Sequence, residues 1–357
     1  MLKKIARDIL ILFGIAALWV STSRNAMQYI SDKRKVDKWW GIYPRSHGNL
    51  ISRTYLDFVK TLNPGPDLGV IKRAPAEGPK NVGLYIYGDS YTWDLADTAF
   101  TGLPEFHHIS RYSWGFFHLD TNKTNILVIQ YSERSVRGEF GDLRIFDGFR
   151  DSTKKVSLRH SPTDTKKYYA SLLPDFKLEN IFNKNINQNL QFNLFNYQFI
   201  IPMFEFKAAI TYYCFKRASG DATLSKDGNY LFLKETVAGE DPGSSYMPLP
   251  PSEVAHLVDN FNAIYDHYKA AGFAEVYLSM VPNTSSMVQP DGYNNLIPLV
   301  QNDPRLRMRI IDAYSFLKRD PGGYFYHGDT HWNMKARQIW VDMVNDILTQ
   351  LNKSGQK

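Results

Sequence analysis

The sequence predicts an α/β protein: a three-layer domain with a mostly parallel sheet, an N-terminal membrane anchor helix and a large insertion. Three observations predict it. Short apolar runs recur at 82–87, 126–131, 275–281 and 309–314, each the length of a buried strand. Apolar residues at helical spacing lie at 252–271 and again at 332–351, where Ile339, Trp340, Met343, Val344, Ile347, Leu348 and Leu351 share one stripe. Strands that alternate with helices build layered domains around a parallel sheet. Finally, the long segment 141–250 interrupts that alternation.

The elements follow in chain order. Lys3, Lys4 and Arg7 precede an apolar run from Ile9 to Val20, ended by Ser21, Thr22 and Ser23. A basic flank before an apolar stretch has the form of a signal anchor. The run is short of the roughly 20 residues that a span requires, but Ile5 to Ser23 reaches that length with Arg7 snorkelling. Trp19 and Val20 stand where a cleavage site wants small residues, so an uncleaved anchor over 1–24 is the expectation. A cleaved signal and a buried helix are the competing readings. Arg24, Lys33, Arg34 and Lys35 follow the run, so the count of basic residues does not set its orientation.

Residues 25–80 read as stalk and linker. Trp39 and Trp40 suit headgroup level, or one face of an amphipathic helix, and Pro64, Pro66, Pro75 and Pro79 break regular structure. The α/β core then comes in two parts, 81–140 and 251–351, with a short tail at 352–357. Between them, Phe176 to Phe215 holds 11 aromatics among many asparagines. This insertion is expected to cap the cleft, with Phe192, Phe195, Tyr197 and Phe199 turned toward it; a separate small core is the alternative.

Composition narrows the function. Lys and Arg number 42 against 36 Asp and Glu, a net charge of +6 spread along the chain. That suits anionic lipid or polymer, and no nucleic-acid recognition module is present. The 14% aromatic share suits carbohydrate surfaces, membrane interfaces or large cores. The one cysteine, Cys214, excludes an intrachain disulfide and a Cys-based zinc site. Its neighbours Tyr212, Tyr213 and Phe215 make it an expected buried filler rather than a nucleophile.

Two short stretches carry chemistry. Gly88-Asp89-Ser90-Tyr91 falls where the first strand ends and a helix over Thr92 to Phe100 is expected. A serine there could attack an acyl carbonyl while helix amides hold the oxyanion. The same residues could simply cap a helix. Gly328-Asp329-Thr330-His331-Trp332-Asn333 precedes the last helix. Neutral serine needs a base, and a histidine base needs an acceptor to fix its tautomer. Asp329 and His331 offer both, against the plainer reading of an N-cap and a surface histidine. Asp-x-His supplies two metal ligands at most, so no metal or other cofactor is expected. His107-His108 could line a cleft or sit in a core.

Taken together, Ser90 after the first strand and Asp329-x-His331 before the last helix resemble the SGNH (GDSL-like) hydrolase superfamily. The form Asp-x-His-Trp-Asn resembles its bacterial polysaccharide O-acetylation branch, which includes alginate acetylation and teichoic-acid D-alanyl transfer proteins. Ser132-Glu133-Arg134-Ser135 and Val281-Pro282-Asn283 with the stretch from Tyr293 add to the likeness, which covers about 81–140 and 251–351. The resemblance implies an SGNH-hydrolase-like sandwich with Ser90, His331 and Asp329 as the catalytic triad. It implies an oxyanion hole from the Ser90 amide, a second-block glycine whose nearest match is Gly115, and a third-block asparagine. Here that third position reads Gln130-Tyr131-Ser132-Glu133-Arg134, so either Arg134 or a backbone amide replaces the asparagine or the hole is built differently. Glu133 and Arg134 could equally pair with each other.

The activity so implied is transfer of an acyl group through an acyl-serine to a hydroxyl of a cell-envelope or exported polysaccharide. The implied partners are that glycan, an acyl donor delivered by a membrane-bound O-acyltransferase, and the membrane itself, with the body on the extracytoplasmic side. A secreted carbohydrate O-acetyl esterase shares every catalytic residue. An inactive surface-assembly or polysaccharide-binding protein on the same fold is the non-enzymatic rival.

Overall fold

A computed structural model of the chain describes residues 2–22, 71, 78, 81–92, 95–103, 105–110, 119–120, 122–141, 186, 190, 201–218 and 222–354. The protein is mixed α/β with a parallel central sheet and one N-terminal apolar helix. It divides into two compact units, Met1–His47 with Leu158–Cys214, and Gly48–Ser157 with Phe215–Lys357.

The first unit holds two described helices. Helix α1 spans Leu2–Thr22. Leucine, isoleucine and alanine favour it, and it ends where the Ser21 and Thr22 hydroxyls turn back onto the Ala17 and Trp19 carbonyls. Ile9, Leu10, Leu12, Phe13 and Ile15 are exposed, and by length and composition the helix can cross a membrane. The later helix, α3 (Ile201–Phe215), lies in this unit up to Cys214.

The second unit is built on strands β1 (Val82–Gly88), β2 (Glu105–Ser110), β3 (Thr124–Ser132), β6 (Glu275–Val281) and β7 (Arg309–Ile310). Their order is β2-β1-β3-β6-β7, all parallel. β1 is buried throughout, and β3 and β6 are buried beyond their first residues. Successive side chains point to opposite faces, so continuous burial means that both faces are covered. Around the sheet lie α2 (Glu133–Phe140), α4 (Pro251–Ala270), α5 (Thr284–Val288), α6 (Leu296–Gln301), α7 (Ala313–Leu317), α8 (Pro321–Tyr324) and α9 (Met334–Ser354). Pro251 starts α4 at a position where a missing amide hydrogen costs nothing. Trp340 of α9 donates its indole hydrogen to Ser279 Oγ of β6 at 2.9 Å, which ties the last helix to the sheet.

Five expectations change. The helix expected over 92–100 is absent from the described residues, where only a 3-10 turn at Asp97–Ala99 forms. Thr92 commits its hydroxyl to Gln130 Oε1, and Asp and Thr are poor helix formers. β2 is a strand the sequence does not announce, because Glu105-Phe106-His107-His108 is neither apolar nor alternating. The strand expected at 309–314 shrinks to two residues because Asp312 caps α7 through the Ser315 amide. The segment 141–250 is split. Helix α3 falls in the first unit up to Cys214, while hairpin β4–β5 (Ala222–Leu224, Leu231–Leu233) belongs to the second. The hairpin is bound into that unit, where the Leu231 amide donates to the His327 carbonyl. Cys214 is exposed, not buried filler. The stalk residues Trp39 and Trp40, and Phe192, Phe195, Tyr197 and Phe199, lie outside the described residues.

Candidate active site

The C-terminal ends of β1, β3 and β6 converge on one point. β1 runs into Gly88 and turns at Asp89-Ser90, with the Thr92 amide closing the turn on the Asp89 carbonyl. The buried Asp89 carboxylate braces the turn twice: Oδ1 accepts from the Tyr91 amide and Oδ2 from the Ser132 amide at the end of β3. Gly88 lies opposite Gln130, and a Cβ there would collide with Thr92 Oγ1 and Gln130 Oε1. The glycine is therefore required by close approach.

The Asp329–His331 loop is pinned as firmly. Phe325 and Trp332 form a β-bridge, and the Tyr326 amide donates to the His331 carbonyl. Asn333 caps α9, its Oδ1 accepting from the Lys335 and Ala336 amides. The loop so held meets the serine turn across 241 residues of sequence. Ser90 Oγ lies 2.8 Å from His331 Nε2, and His331 Nδ1 lies 2.6 Å from Asp329 Oδ1. The same oxygen also accepts the His331 amide hydrogen at 2.9 Å. The Asp329 side chain is 1% exposed and that of His331 23%, so the carboxylate is sealed while the imidazole edge meets solvent. This gives a hydroxyl, a base and an orienting carboxylate in one line of hydrogen bonds.

Tyr91 joins the two loops. Its hydroxyl donates to the Thr330 carbonyl at 2.6 Å, and its own carbonyl accepts the Trp332 indole hydrogen at 3.2 Å. Its ring packs 4.6 Å from the His331 ring, and burial holds its phenol above the usual range. Thr284 Oγ1 donates to the same Thr330 carbonyl. Sequence reasoning passed over Tyr91 and Thr284. Tyr91 is adjacent to the serine, yet nothing in the sequence shows that a tyrosine at that position reaches residue 330.

Arg134 is anchored beside the candidate pair. Its Nη1 donates to Thr330 Oγ1 and Tyr91 Oη at 3.2 and 3.4 Å, and its guanidinium lies over the Tyr91 ring. Glu133 does not pair with it. The Glu133 carboxylate accepts from the Asn283 amide and the Ser286 hydroxyl, and burial raises it to about 6 against those bonds. Gln130, at the expected asparagine position, is buried, with Oε1 accepting from Thr92 Oγ1. His108 also meets Thr92 Oγ1, at 3.1 Å, and burial holds its imidazole below the usual range. Gly115 lies outside the described residues. Among the described residues no group of three or more His, Cys, Asp or Glu could hold a metal ion.

No protein-family model, curated protein or solved structure matches the chain.

Proposed function

We propose that the chain is a serine-dependent O-acyltransferase of SGNH type, anchored through α1 with its catalytic unit outside the cytoplasm. One observation carries the reading: the unbroken line Ser90 Oγ, His331 Nε2, His331 Nδ1, Asp329 Oδ1, at 2.8 and 2.6 Å. The β2-β1-β3-β6-β7 parallel order and the motif order in the chain agree with the resemblance.

The chemistry is a double displacement. His331 Nε2 takes the Ser90 hydroxyl proton as Oγ attacks the acyl carbonyl, and Asp329 stabilises the imidazolium. The tetrahedral oxyanion collapses, the donor leaves with the proton from His331, and an acyl-serine remains. A sugar hydroxyl then gives its proton to His331, attacks the acyl-serine, and releases Ser90 with its proton restored. Among the described residues no acceptor takes the Ser90 amide hydrogen, which suits it to the oxyanion. Substrate and membrane side come from the resemblance: a cell-envelope glycan as acceptor and an acyl donor brought through the bilayer.

The test is intact-protein mass spectrometry after exposure to p-nitrophenyl acetate. Wild type should gain one acetyl group on Ser90, and Ser90→Ala none. Ser90→Ala should keep its fold, losing about 1 kcal/mol for one hydrogen bond. Equal labelling of both would sink the proposal. Adding an oligosaccharide separates transfer, read as acetylated sugar, from release of free acetate.

A further inference from the structure

Helix α3 leaves an apolar face uncovered. Met203 and Phe206 are 70% and 69% exposed, and Ile210 and Tyr213 are also exposed. At 3.6 residues per turn these four positions fall on one side of the helix, with exposed Lys207 and Cys214 along its edge. The whole helix, Ile201-Pro-Met-Phe-Glu-Phe-Lys-Ala-Ala-Ile-Thr-Tyr-Tyr-Cys-Phe215, holds only two charged residues, Glu205 and Lys207. Water-facing helices normally present a charged face, so a stripe of this kind marks a surface made for something apolar.

We propose that this face lies in the headgroup–acyl boundary of an anionic phospholipid membrane, as a second lipid contact beside α1. Three features select lipid as the occupant. Helix α3 belongs to the same compact unit as α1, the helix able to cross a membrane, so the unit that meets the bilayer is the unit that carries the stripe. Its 15 residues give a length of about 22 Å, short of the roughly 30 Å hydrocarbon core, so it suits the interface and not a second crossing. Exposed Lys207 borders the stripe within the same unit, where a cation suits anionic headgroups, and Tyr213 has the amphipathic ring favoured at that depth.

The inference rests on reading α1 as a membrane helix, and the experiment separates the two. Cys214, the chain's one cysteine, borders the stripe and takes a nitroxide label with no substitution. The full chain is reconstituted in mixed phosphatidylcholine and phosphatidylglycerol vesicles. Power saturation then compares access by oxygen, which enters lipid, with access by a water-soluble nickel chelate. A second sample carries the label at Leu10→Cys in a Cys214→Ser background and reports α1. Both labels should favour oxygen, and the Phe206→Glu, Ile210→Glu double variant should return the Cys214 label to nickel access while the α1 label stays in lipid. A Cys214 label fully open to nickel while the α1 label is in lipid overturns the interfacial face and spares the anchor. Shielding from both reagents means that protein covers the face and overturns lipid as occupant. An α1 label open to nickel overturns the anchor, and the interfacial proposal with it.

Discussion

Tyr91 donates its hydroxyl hydrogen to the Thr330 carbonyl at 2.6 Å, while Trp332 returns an indole hydrogen to the Tyr91 carbonyl at 3.2 Å. The residue after the candidate nucleophile thus brackets the candidate base from both sides in sequence. His331 is held between two anchored neighbours, which helps fix its ring against Ser90 while Nε2 keeps its bond to Ser90 Oγ.

Tyr91→Phe keeps the ring packed on His331 and removes only the hydroxyl. The Thr330 carbonyl keeps one donor, Thr284 Oγ1, so the stability cost should be about 1 kcal/mol. If that energy appears as misplacement of the loop, the acylation rate falls by roughly five- to tenfold. Pre-steady-state acylation by p-nitrophenyl acetate beside a denaturant melt checks both. An unchanged rate with lowered stability would make Tyr91 a packing residue alone.

Gly88→Ala should be worse than an ordinary loop substitution. The new methyl would press on Thr92 Oγ1 and Gln130 Oε1, both of which are buried and already bonded to each other. Overpacking of this kind costs about 1–3 kcal/mol. The strain lies directly under Ser90, so acylation should fall along with the denaturation midpoint. A stable, fully active Gly88→Ala would mean that the turn is looser than the packing around Gly88 indicates.

Glu133 gives a pH signature. Burial raises its carboxyl to about 6 from an ordinary 4.5, so the folded chain holds a proton that the unfolded chain has lost between those values. Protonation then favours the fold, and stability from this group falls as pH rises from about 4.5 through 6. A shift of that size corresponds to about 2 kcal/mol. Glu133→Gln keeps an acceptor for the Asn283 amide and the Ser286 hydroxyl, and it cannot ionise. Urea melts across that range should show the wild type losing stability relative to Glu133→Gln as pH rises. Parallel pH curves would refute the buried ionisation.

Much of this was legible in the sequence because burial writes itself into composition. The strands at 82–88, 124–132 and 275–281 are apolar on both faces, so their runs stand out. β2 was not legible, since Glu105 and His107 find partners in Tyr85, Lys123 and each other that only the folded sheet supplies. The pairing of Ser90 with His331 was inferable from motif order, whereas the contacts that aim the pair were not. Arg134 shows why. The resemblance offered it as one candidate for the oxyanion hole, and only the fold shows its Nη1 engaged with Thr330 and Tyr91. The 141–250 segment misled because turn-rich chain such as Ser225–Tyr230 carries no period, so a hairpin bound to the core looked like more of the same insertion.

The sharpest separation between scaffold and chemistry is at Asp329. Its Oδ1 accepts both the His331 ring hydrogen and the His331 amide hydrogen, and its Oδ2 is buried with no partner among the described residues. An asparagine in its place could keep its oxygen on those two donors and put its amide nitrogen where Oδ2 stands alone. The loop geometry would survive, and the loss of a buried charge offsets part of the cost of amide hydrogens left without an acceptor, so the net stability change should stay within about 2 kcal/mol. What disappears is the negative charge that meets the imidazolium as Ser90 attacks. Asp329→Asn should therefore melt within several degrees of the wild type while its acylation rate drops on the order of a hundredfold to ten-thousandfold. A capping role for Asp329 predicts the reverse, a stability loss with little change in rate. Thermal melts and acylation rates on one preparation distinguish the two. If melting falls and acylation holds, the line from Ser90 through His331 ends at a structural aspartate and the triad reading is lost.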